Sequence, residues 1–330
     1  MAKNKNIELY LAKYSEWMLT RGWSERTQES YKSNVRFFLD YLINETSVQN
    51  LNEIDSKILS GFQTFLYHYE SRQRRHASSR AGTGETGKRL ALSSQHTKLV
   101  SVRSFFHFLY ETDVLLFNPS AALHLPKKRK SLPKGVMSEK QVEKLLNQPD
   151  LSTALGFRDG TILETLYSSG IRNSELRSLA VYDVDLNLLQ LAIRKGKNAK
   201  DRVVPLGEIA ADYIHEYLVS ARPKLNRSSA MADASNELLF ISKNGLQITK
   251  ANLIWIIAKY VKEAGLKQNF TPHSLRHSCA THMLRAGADI RYIQEMLGHA
   301  SVATTQIYTK VEVTDLRAMH RQCHPREKVN

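Results

Sequence analysis

The chain has 330 residues, enough for about two domains that each bury a core, which excludes a fully disordered protein. Its 47 Lys and Arg against 32 Asp and Glu give a formal net charge of +15, which favours a polyanionic partner, although charge also serves solubility alone. Two cysteines and no long apolar run exclude a disulfide scaffold and a membrane-spanning helix. The polar start, Met1 to Ile7, lacks a signal-peptide core, so a cytoplasmic protein is expected.

The first part of the chain has the apolar periodicity of a helical domain. Helices are predicted over residues 7–17, 24–42, 58–69 and 99–110, with Ser24 as the N-cap of the second. The segment 72–94 between the last two is rich in Arg, Gly, Ser and Thr. Its composition fits a loop that becomes ordered on phosphates as well as it fits a solvated surface loop. We therefore predict a helical domain over residues 1–124.

A basic segment bracketed by prolines follows and predicts a linker over residues 125–136. Pro126 and Pro133 end the helical pattern. Between them lie four consecutive cations, Lys127, Lys128, Arg129 and Lys130. These cations are predicted to contact a DNA backbone, although a plain solvated linker has the same composition. Residues 1–135 carry 21 Lys and Arg against 12 Asp and Glu, so most of the excess charge lies in this part.

Residues 137–330 combine helical patterns with a short β segment. A capping-box pattern at Ser138 to Gln141 begins the domain, and a helix is predicted over Leu155 to Ser168. Further helices are predicted over 210–218, 253–264, 274–286 and 290–297. Apolar residues alternate between 184 and 204 around a polar tip, which predicts a hairpin. Its tip carries Lys195, Lys197 and Lys200, of which the last two are predicted to contact DNA. The expected fold class is α+β, mainly α with a small β-sheet or hairpin, in two domains that close around DNA.

Four separated clusters have residue types that suit a phosphodiester, and the first two lie around residue 172 and in the hairpin. Arg172 follows a glycine turn and precedes Glu175 by one helical turn, so it is suited to gripping a phosphate oxygen that Glu175 helps to frame. A surface Arg–Glu pair is the plainer interpretation of this segment alone. In the hairpin, a lysine such as Lys195 is suited to protonating a leaving oxygen, but basic hairpin tips more often contact only the backbone.

The third cluster lies after Pro272. His273 and Arg276 are three residues apart, so they are expected to share a helix face and to present an imidazole and a guanidinium to one anion. His273, His277 and His282 also have spacings that suit zinc. No HExxH-type glutamate accompanies them, and Arg276 disfavours a cation, so zinc is the weaker hypothesis.

The fourth cluster is His299 with Tyr308 nine residues later. A tyrosine with a pKa near its usual value of about 10 is a poor nucleophile, so it needs neighbouring cations or a base. The arginines, histidines and lysine of the other clusters would supply them. A tyrosine considered alone is more often a core or rim residue.

The order and spacing of these clusters resemble the tyrosine recombinase (phage integrase) family, and especially its bacterial Xer-like branch. The resemblance spans nearly the whole chain and rests on Gly170 to Leu176, Lys195, His273 to His277, Leu297 to His299 and Tyr308. It implies catalytic roles for Arg172, Lys195, His273, Arg276, His299 and Tyr308. It also implies supporting roles for Glu175 and His277. The hairpin is longer than the usual Xer pattern, so Lys197 remains a rival to Lys195, and residues 72–94 and 225–237 look like insertions.

The resemblance implies a core-binding (SAM-like) first domain and a recombinase catalytic domain over residues 137–330. The implied activity is site-specific cleavage and rejoining of DNA through a 3′-phosphotyrosyl intermediate and a Holliday junction, for integration, excision or resolution. The implied assembly is a homotetramer on two duplexes that exchanges the C-terminal segment Leu316 to His324, with room for accessory proteins. Without the resemblance, packing of this segment on its own chain is an equally good interpretation. No metal, nucleotide or membrane is implied, and the expected location is the nucleoid of a bacterial cytoplasm. The alternatives are a type IB topoisomerase-like relaxase and a non-catalytic, sequence-specific DNA-binding protein.

Overall fold

The computed structural model describes residues 2–71, 88–126, 135–194, 201–226, 237–298 and 313–327. The chain divides into two compact units, Met1–Ser131 and Leu132–Asn330. The described residues are mainly helical and include a small three-stranded antiparallel sheet, which confirms the predicted fold class. Within these ranges, no helix combines the length and the apolar character needed to cross a bilayer.

Four α-helices form the first unit, as the apolar periodicity predicts. They are α1 (Ala2–Thr20), α2 (Glu25–Glu45), α3 (Ser56–His68) and α4 (Leu92–Glu111). The side chain of Ser24 caps α2 by accepting the N–H of Thr27, which satisfies one of the unpaired donors of the first turn. The last three residues of segment 72–94 belong to α4 and not to a loop, because Leu92 begins this helix. Residues 72–87 lie outside the described residues.

Aromatic side chains fill the core of the first unit. Phe38, Phe62, Phe105 and Phe106 are fully buried, and the rings of Phe38 and Phe62 meet edge to face with centroids 4.8 Å apart. Two short strands, β1 (Glu70–Ser71) and β2 (Lys88–Arg89), pair antiparallel beside this core. The unit therefore has the independent core expected of a domain.

The second unit contains nine α-helices in its described residues. They are α5 (Glu139–Leu146), α6 (Ala154–Ser169), α7 (Asn173–Ser178), α8 (Glu208–Glu216), α9 (Arg222–Asn226), α10 (Lys250–Glu263), α11 (Pro272–Arg285), α12 (Ile290–Leu297) and α13 (Val313–Cys323). The predicted capping box at Ser138 and Gln141 is present at the start of α5. A π-helical turn, Tyr217–Ala221, joins α8 to α9.

The sheet of the second unit has the order β3-β4-β5 and is antiparallel throughout. Its strands are β3 (Val184–Asp185), β4 (Gln190–Ile193) and β5 (Arg202–Pro205). Leu191 and Ile193 are buried on alternate positions of β4, which agrees with the predicted hairpin pattern. The register places Ile193 opposite Arg202, so β5 begins with an arginine directly across from a buried side chain.

The C-terminal segment packs on the second unit of its own chain. The ring Nε2 of His320 donates to the carbonyl oxygen of Ser168 at 2.7 Å, and that of His324 donates to the carbonyl oxygen of Tyr167 at 3.2 Å. Both histidines are buried. Arg326 pairs with the buried carboxylate of Glu164. In the single chain, the segment Leu316 to His324 thus follows the alternative of packing within one molecule.

Candidate active site

A sharp turn after α6 places Arg172 at the start of α7. The helix ends at Gly170, whose φ of +59° lies in the left-handed region that favours glycine. Arg172 is the N-cap residue of α7, and Glu175 occupies the N3 position. The Glu175 carboxylate reaches back and accepts the backbone N–H of Arg172 at 2.7 Å. The local sequence thus directs both side chains to the same place.

Glu175 is a buried carboxylate held by two guanidinium groups. Arg172 donates from Nη1 to Oε1 at 2.6 Å, and Arg202 donates from Nη1 to Oε1 and from Nη2 to Oε2, both at 2.9 Å. Burial raises the pKa of this carboxyl, but the hydrogen bonds and charges of Arg202 and Arg172 outweigh burial and lower the pKa of Glu175 to about 2. Glu175 is therefore ionised at neutral pH.

Arg202 belongs to this group, yet the sequence motifs did not single it out. Its side chain is only 11% exposed although it opens a short strand at the edge of the sheet. A buried arginine needs a charged or hydrogen-bonding partner, because an unpaired buried charge is costly. The available signal was one arginine at the head of the apolar strand Arg202–Pro205, but its partner is distant in sequence.

Arg276 reaches the same place from α11. It is 4% exposed, and its guanidinium donates to the carbonyl oxygens of Gly170 at 2.6 Å and Leu297 at 2.7 Å. Burial and the neighbouring charge of Arg172 lower the pKa of Arg276 to about 10. The side chain therefore still carries its charge at neutral pH. We call Arg172, Glu175, Arg202 and Arg276 the arginine cluster.

The three arginines of the cluster meet the carboxyl end of α12. The hydrogen bonds run from Arg202 Nε to Met296 O at 3.1 Å, from Arg276 Nη2 to Leu297 O at 2.7 Å and from Arg172 Nη2 to Gly298 O at 2.6 Å. The last carbonyls of a helix lack intrahelical partners and form the negative end of its dipole, so cations are favourable there. The cluster therefore fixes the end of α12 immediately before residue 299.

Two histidines lie one turn apart on the outer side of α11. The rings of His273 and His277 are parallel within 2° and their centroids are 6.5 Å apart. His273 is exposed and His277 is half-buried. Burial, with a contribution from His273, lowers the pKa of His277. Arg276 turns inward to the carbonyl oxygens of Gly170 and Leu297, whereas His273 is exposed one turn earlier on the same helix.

His282, the third histidine of the zinc hypothesis, has a different environment. Its Nε2 donates to the carbonyl oxygen of Met137 at 2.8 Å, so its Nδ1 accepts the hydroxyl hydrogen of Tyr167 at 2.9 Å. The part of the chain that the structure describes contains no group of three or more metal-ligating side chains.

Nine predicted site residues lie outside the described residues. They are Lys127, Lys128, Arg129, Lys130, Lys195, Lys197, Lys200, His299 and Tyr308. The described chain flanks several of them, because β4 and β5 lie on either side of residues 195–200 and α12 ends just before residue 299. Of the predicted residues, the structure thus brings together Arg172, Glu175 and Arg276, and it adds Arg202.

Comparison with known proteins identifies the family of this chain. Residues 135–314, more than half of the chain, match the family model described as the phage integrase family. The chain belongs to this family of tyrosine recombinases. Its relatives include tyrosine recombinase XerC 2 of Ralstonia nicotianae, which is 36% identical over 316 residues that cover 96% of this chain and 85% of the relative. Tyrosine recombinase XerD of Listeria monocytogenes is 36% identical over 309 residues, covering 94% of this chain and 96% of the relative.

Solved structures of recombinases share the fold. The XerH site-specific recombinase bound to difH substrate matches with a TM-score of 0.66 at 20% identity, covering 96% of this chain and 95% of that one. A lambda integrase dimer bound to a COC′ core site matches with a TM-score of 0.62 at 16% identity, covering 93% and 98%. The recombinase described here is accordingly an enzyme of DNA strand breakage and rejoining, which confirms the recognition drawn from the motifs.

Proposed function

We propose that Tyr308 is the nucleophile of this recombinase and that Arg172, Arg276 and His299 stabilise the charge on the scissile phosphate. The supporting observation is the arginine cluster, which gathers the two motif arginines at the end of α12. Gly298, the C-cap residue of α12, lies one residue before His299 and ten before Tyr308 in the sequence. A phosphate bound by Arg172 and Arg276 would therefore lie near the end of α12, from which the chain continues to His299 and Tyr308.

The proposed cleavage exchanges one phosphate ester for another. The Tyr308 oxygen forms a bond to phosphorus while the bond from phosphorus to the 5′ oxygen breaks, which leaves a 3′-phosphotyrosyl bond and a 5′-hydroxyl. Lys195 gives its proton to the departing 5′ oxygen, and His273 acts on the Tyr308 hydroxyl as a base or positioning group. A 5′-hydroxyl of a partner duplex then reverses the step. Neither a metal nor a nucleotide takes part, and His277 supports His273.

The proposed partner is double-stranded DNA that carries recombination sites. In their structures, XerH is bound to difH substrate and lambda integrase to a COC′ core site. We extend this to four protomers of the present chain on two duplexes, with a Holliday junction between paired strand exchanges. In that assembly, the segment Leu316 to His324 moves from its own chain to a neighbour, and the cations of residues 127–130 contact the DNA backbone. The proposed location is the nucleoid of a bacterial cytoplasm, where accessory proteins have access to the complex.

A suicide substrate tests the nucleophile. A nick beside the cleavage site lets the short 5′-hydroxyl fragment diffuse away, so the wild-type protein should accumulate a covalent adduct that is resolved by denaturing electrophoresis. Tyr308→Phe should form none because it lacks the attacking oxygen, whereas the matched variant Tyr292→Phe should react like the wild type. An adduct with Tyr308→Phe contradicts the assignment. Relaxation of any supercoiled plasmid without recombinant products would instead identify a type IB topoisomerase-like enzyme.

A modified leaving group tests the general acid. In a 5′-phosphorothiolate substrate, the leaving group departs as a thiolate that needs no proton. This substrate should therefore restore cleavage by the Lys195→Ala variant. Restoration of Lys197→Ala, with Lys195→Ala still inactive, would move the role to Lys197. Mapping covalent adducts across the host genome would then distinguish integration, excision and resolution by the position of the sites.

A further inference from the structure

Arg202 differs from the other two arginines because every nitrogen of its guanidinium donates into the protein. Its Nη1 and Nη2 both bond the Glu175 carboxylate at 2.9 Å, and its Nε bonds the carbonyl oxygen of Met296 at 3.1 Å. Arg172 is more exposed, at 26% of its side chain, and its Nε has no hydrogen bond to another described residue. The geometry thus leaves Arg172 a donor for a ligand and engages Arg202 with the frame around it.

We propose that Arg202 is a positioning residue for DNA cleavage, which holds the Glu175 carboxylate and the end of α12 so that Arg172 remains oriented toward the phosphate. This inference rests on the proposed function, since Arg202 itself is assigned no contact with DNA. Gly298 supports it, because a Cβ there would lie 3.0 Å from Arg202 Nε and 3.1 Å from its Cζ. The guanidinium thus packs directly against the last turn of α12.

Removal of Arg202 would leave Glu175 buried with Arg172 as its only cationic partner in the described cluster. The carboxylate could then recover its missing hydrogen bonds by forming a bidentate ion pair with Arg172. This pair would move the Arg172 guanidinium away from the carbonyl oxygen of Gly298 and from the phosphate. Alternatively it could take up a proton, because burial favours the neutral form once Arg202 is gone. Both responses weaken the phosphate site without touching the DNA.

A lysine could not fully replace Arg202. An ammonium group is a point donor, whereas the guanidinium fork bonds both carboxylate oxygens in one plane and still reaches a carbonyl oxygen with Nε. Lysine keeps the charge and loses this geometry. Arg202→Lys therefore separates the need for a charge from the need for a positioned fork.

The test is single-turnover adduct formation on the suicide substrate between pH 5 and pH 8, with DNA affinity measured in parallel. We expect Arg202→Met to bind the substrate about as tightly as the wild type, because all three nitrogens of the Arg202 guanidinium donate to groups of the protein itself. Cleavage at pH 7.5 should fall by ~10²-fold, the usual effect of losing one well-placed donor, and should fall further toward pH 5 as Glu175 takes up its proton. Arg202→Lys should recover part of the cleavage rate, and its decrease in rate should begin at a lower pH than that of Arg202→Met.

A double-mutant cycle with Glu175→Gln distinguishes positioning from general destabilisation. If Arg202 acts through Glu175, Arg202→Met should add little to the loss already caused by Glu175→Gln. The matched control is Arg158→Met, because Arg158 is also buried and also bonds a carboxylate and a carbonyl oxygen, those of Asp159 and Ile241. It lies in the first turns of α6, about 16 Å along the helix from its end. The cleavage rate of Arg158→Met, measured per folded molecule, should show no additional decrease toward pH 5.

Three results would overturn the inference. They are wild-type cleavage by Arg202→Met, a loss that is equal at every pH and additive with Glu175→Gln, and the same additional decrease toward pH 5 in Arg158→Met. Any of these leaves the proposed function intact, provided that the wild type forms an adduct that Tyr308→Phe does not. Failure of the wild type to form an adduct would refute the proposed function itself.

Discussion

The docked C-terminal segment should come loose in mild acid because its anchoring histidine is buried and neutral. Burial lowers the pKa of His320 to about 4, against the usual 6.5. The docked state therefore binds fewer protons than the undocked state, so the stabilisation is complete above pH 6.5 and is lost as the pH falls toward 4. Such a difference in pKa is worth about 3 kcal/mol in total, and about 2 kcal/mol of it is lost by pH 5.

The neighbouring His324 acts in the same direction as His320. The ring of His324 stacks on it with centroids 4.6 Å apart, and burial followed by the charge of His320 lowers the pKa of His324 well below its usual value. Arg326 is positively charged and His282 becomes so when protonated, which also lowers the pKa of His324, and the Glu164 carboxylate is already paired with Arg326. A proton on either stacked histidine is therefore poorly compensated, and the segment is expected to leave as a unit.

Native-state hydrogen exchange of residues 313–327 measures this docking directly. In the wild type, the opening free energy should fall by about 2 kcal/mol between pH 7.5 and pH 5, after correction for the intrinsic exchange rate. His320→Gln should reduce this dependence, because its amide can still donate to the Ser168 carbonyl oxygen but does not titrate. The exposed His215 offers a control, and His215→Gln should behave like the wild type. The same pH dependence in His320→Gln and wild type would refute the reasoning.

Two further predictions concern the end of α12 and the basic linker. Gly298 has a φ of +61° and lies against Arg202. Gly298→Ala should therefore lower the free energy of unfolding, measured by urea denaturation, by about 1–2 kcal/mol. Unchanged stability would contradict the expected backbone strain at this position. Replacing the four cations of residues 127–130 by serine should weaken DNA binding and reduce the slope of log K against log salt concentration by roughly 0.9 for each phosphate that the variant no longer neutralises. An unchanged slope would mean that the linker contacts no phosphates.

The helical framework was predictable because it follows from short-range patterns. In α2, Val35, Phe38, Leu39 and Leu42 recur at helical intervals, and all four are buried. The π-helical turn Tyr217–Ala221 was not predicted, since an extra residue in one turn leaves no periodic signal of its own. The beginning of α1 at Ala2 was also missed, because its first residues are polar and lack the apolar recurrence that marked residues 7–17.

In the candidate site too, the sequence predicts what depends on local structure and misses what depends on residues distant in sequence. Arg172 and Glu175 were predicted as a pair because the N-cap and N3 positions of one helix determine their geometry. The place of Arg202 depends on the register of two strands and on a carboxylate 27 residues earlier, which no local pattern contains. Similarly, the spacing of His273 and Arg276 predicts a common face, but only the distant carbonyls of Gly170 and Leu297 draw Arg276 inward.

The presence of a carboxylate among the arginines of the proposed phosphate site has an electrostatic explanation. Three guanidinium groups repel one another, and the lowered pKa of Arg276 already reflects burial together with the charges of Arg172 and Arg202. Glu175 reduces the charge of the arginine cluster from +3 to +2. A phosphodiester carries one negative charge and the pentacoordinate state formed by tyrosine attack carries two. The cluster is therefore matched in charge to the transition state more closely than to the bound DNA, and interactions of that kind are the ones that accelerate a reaction.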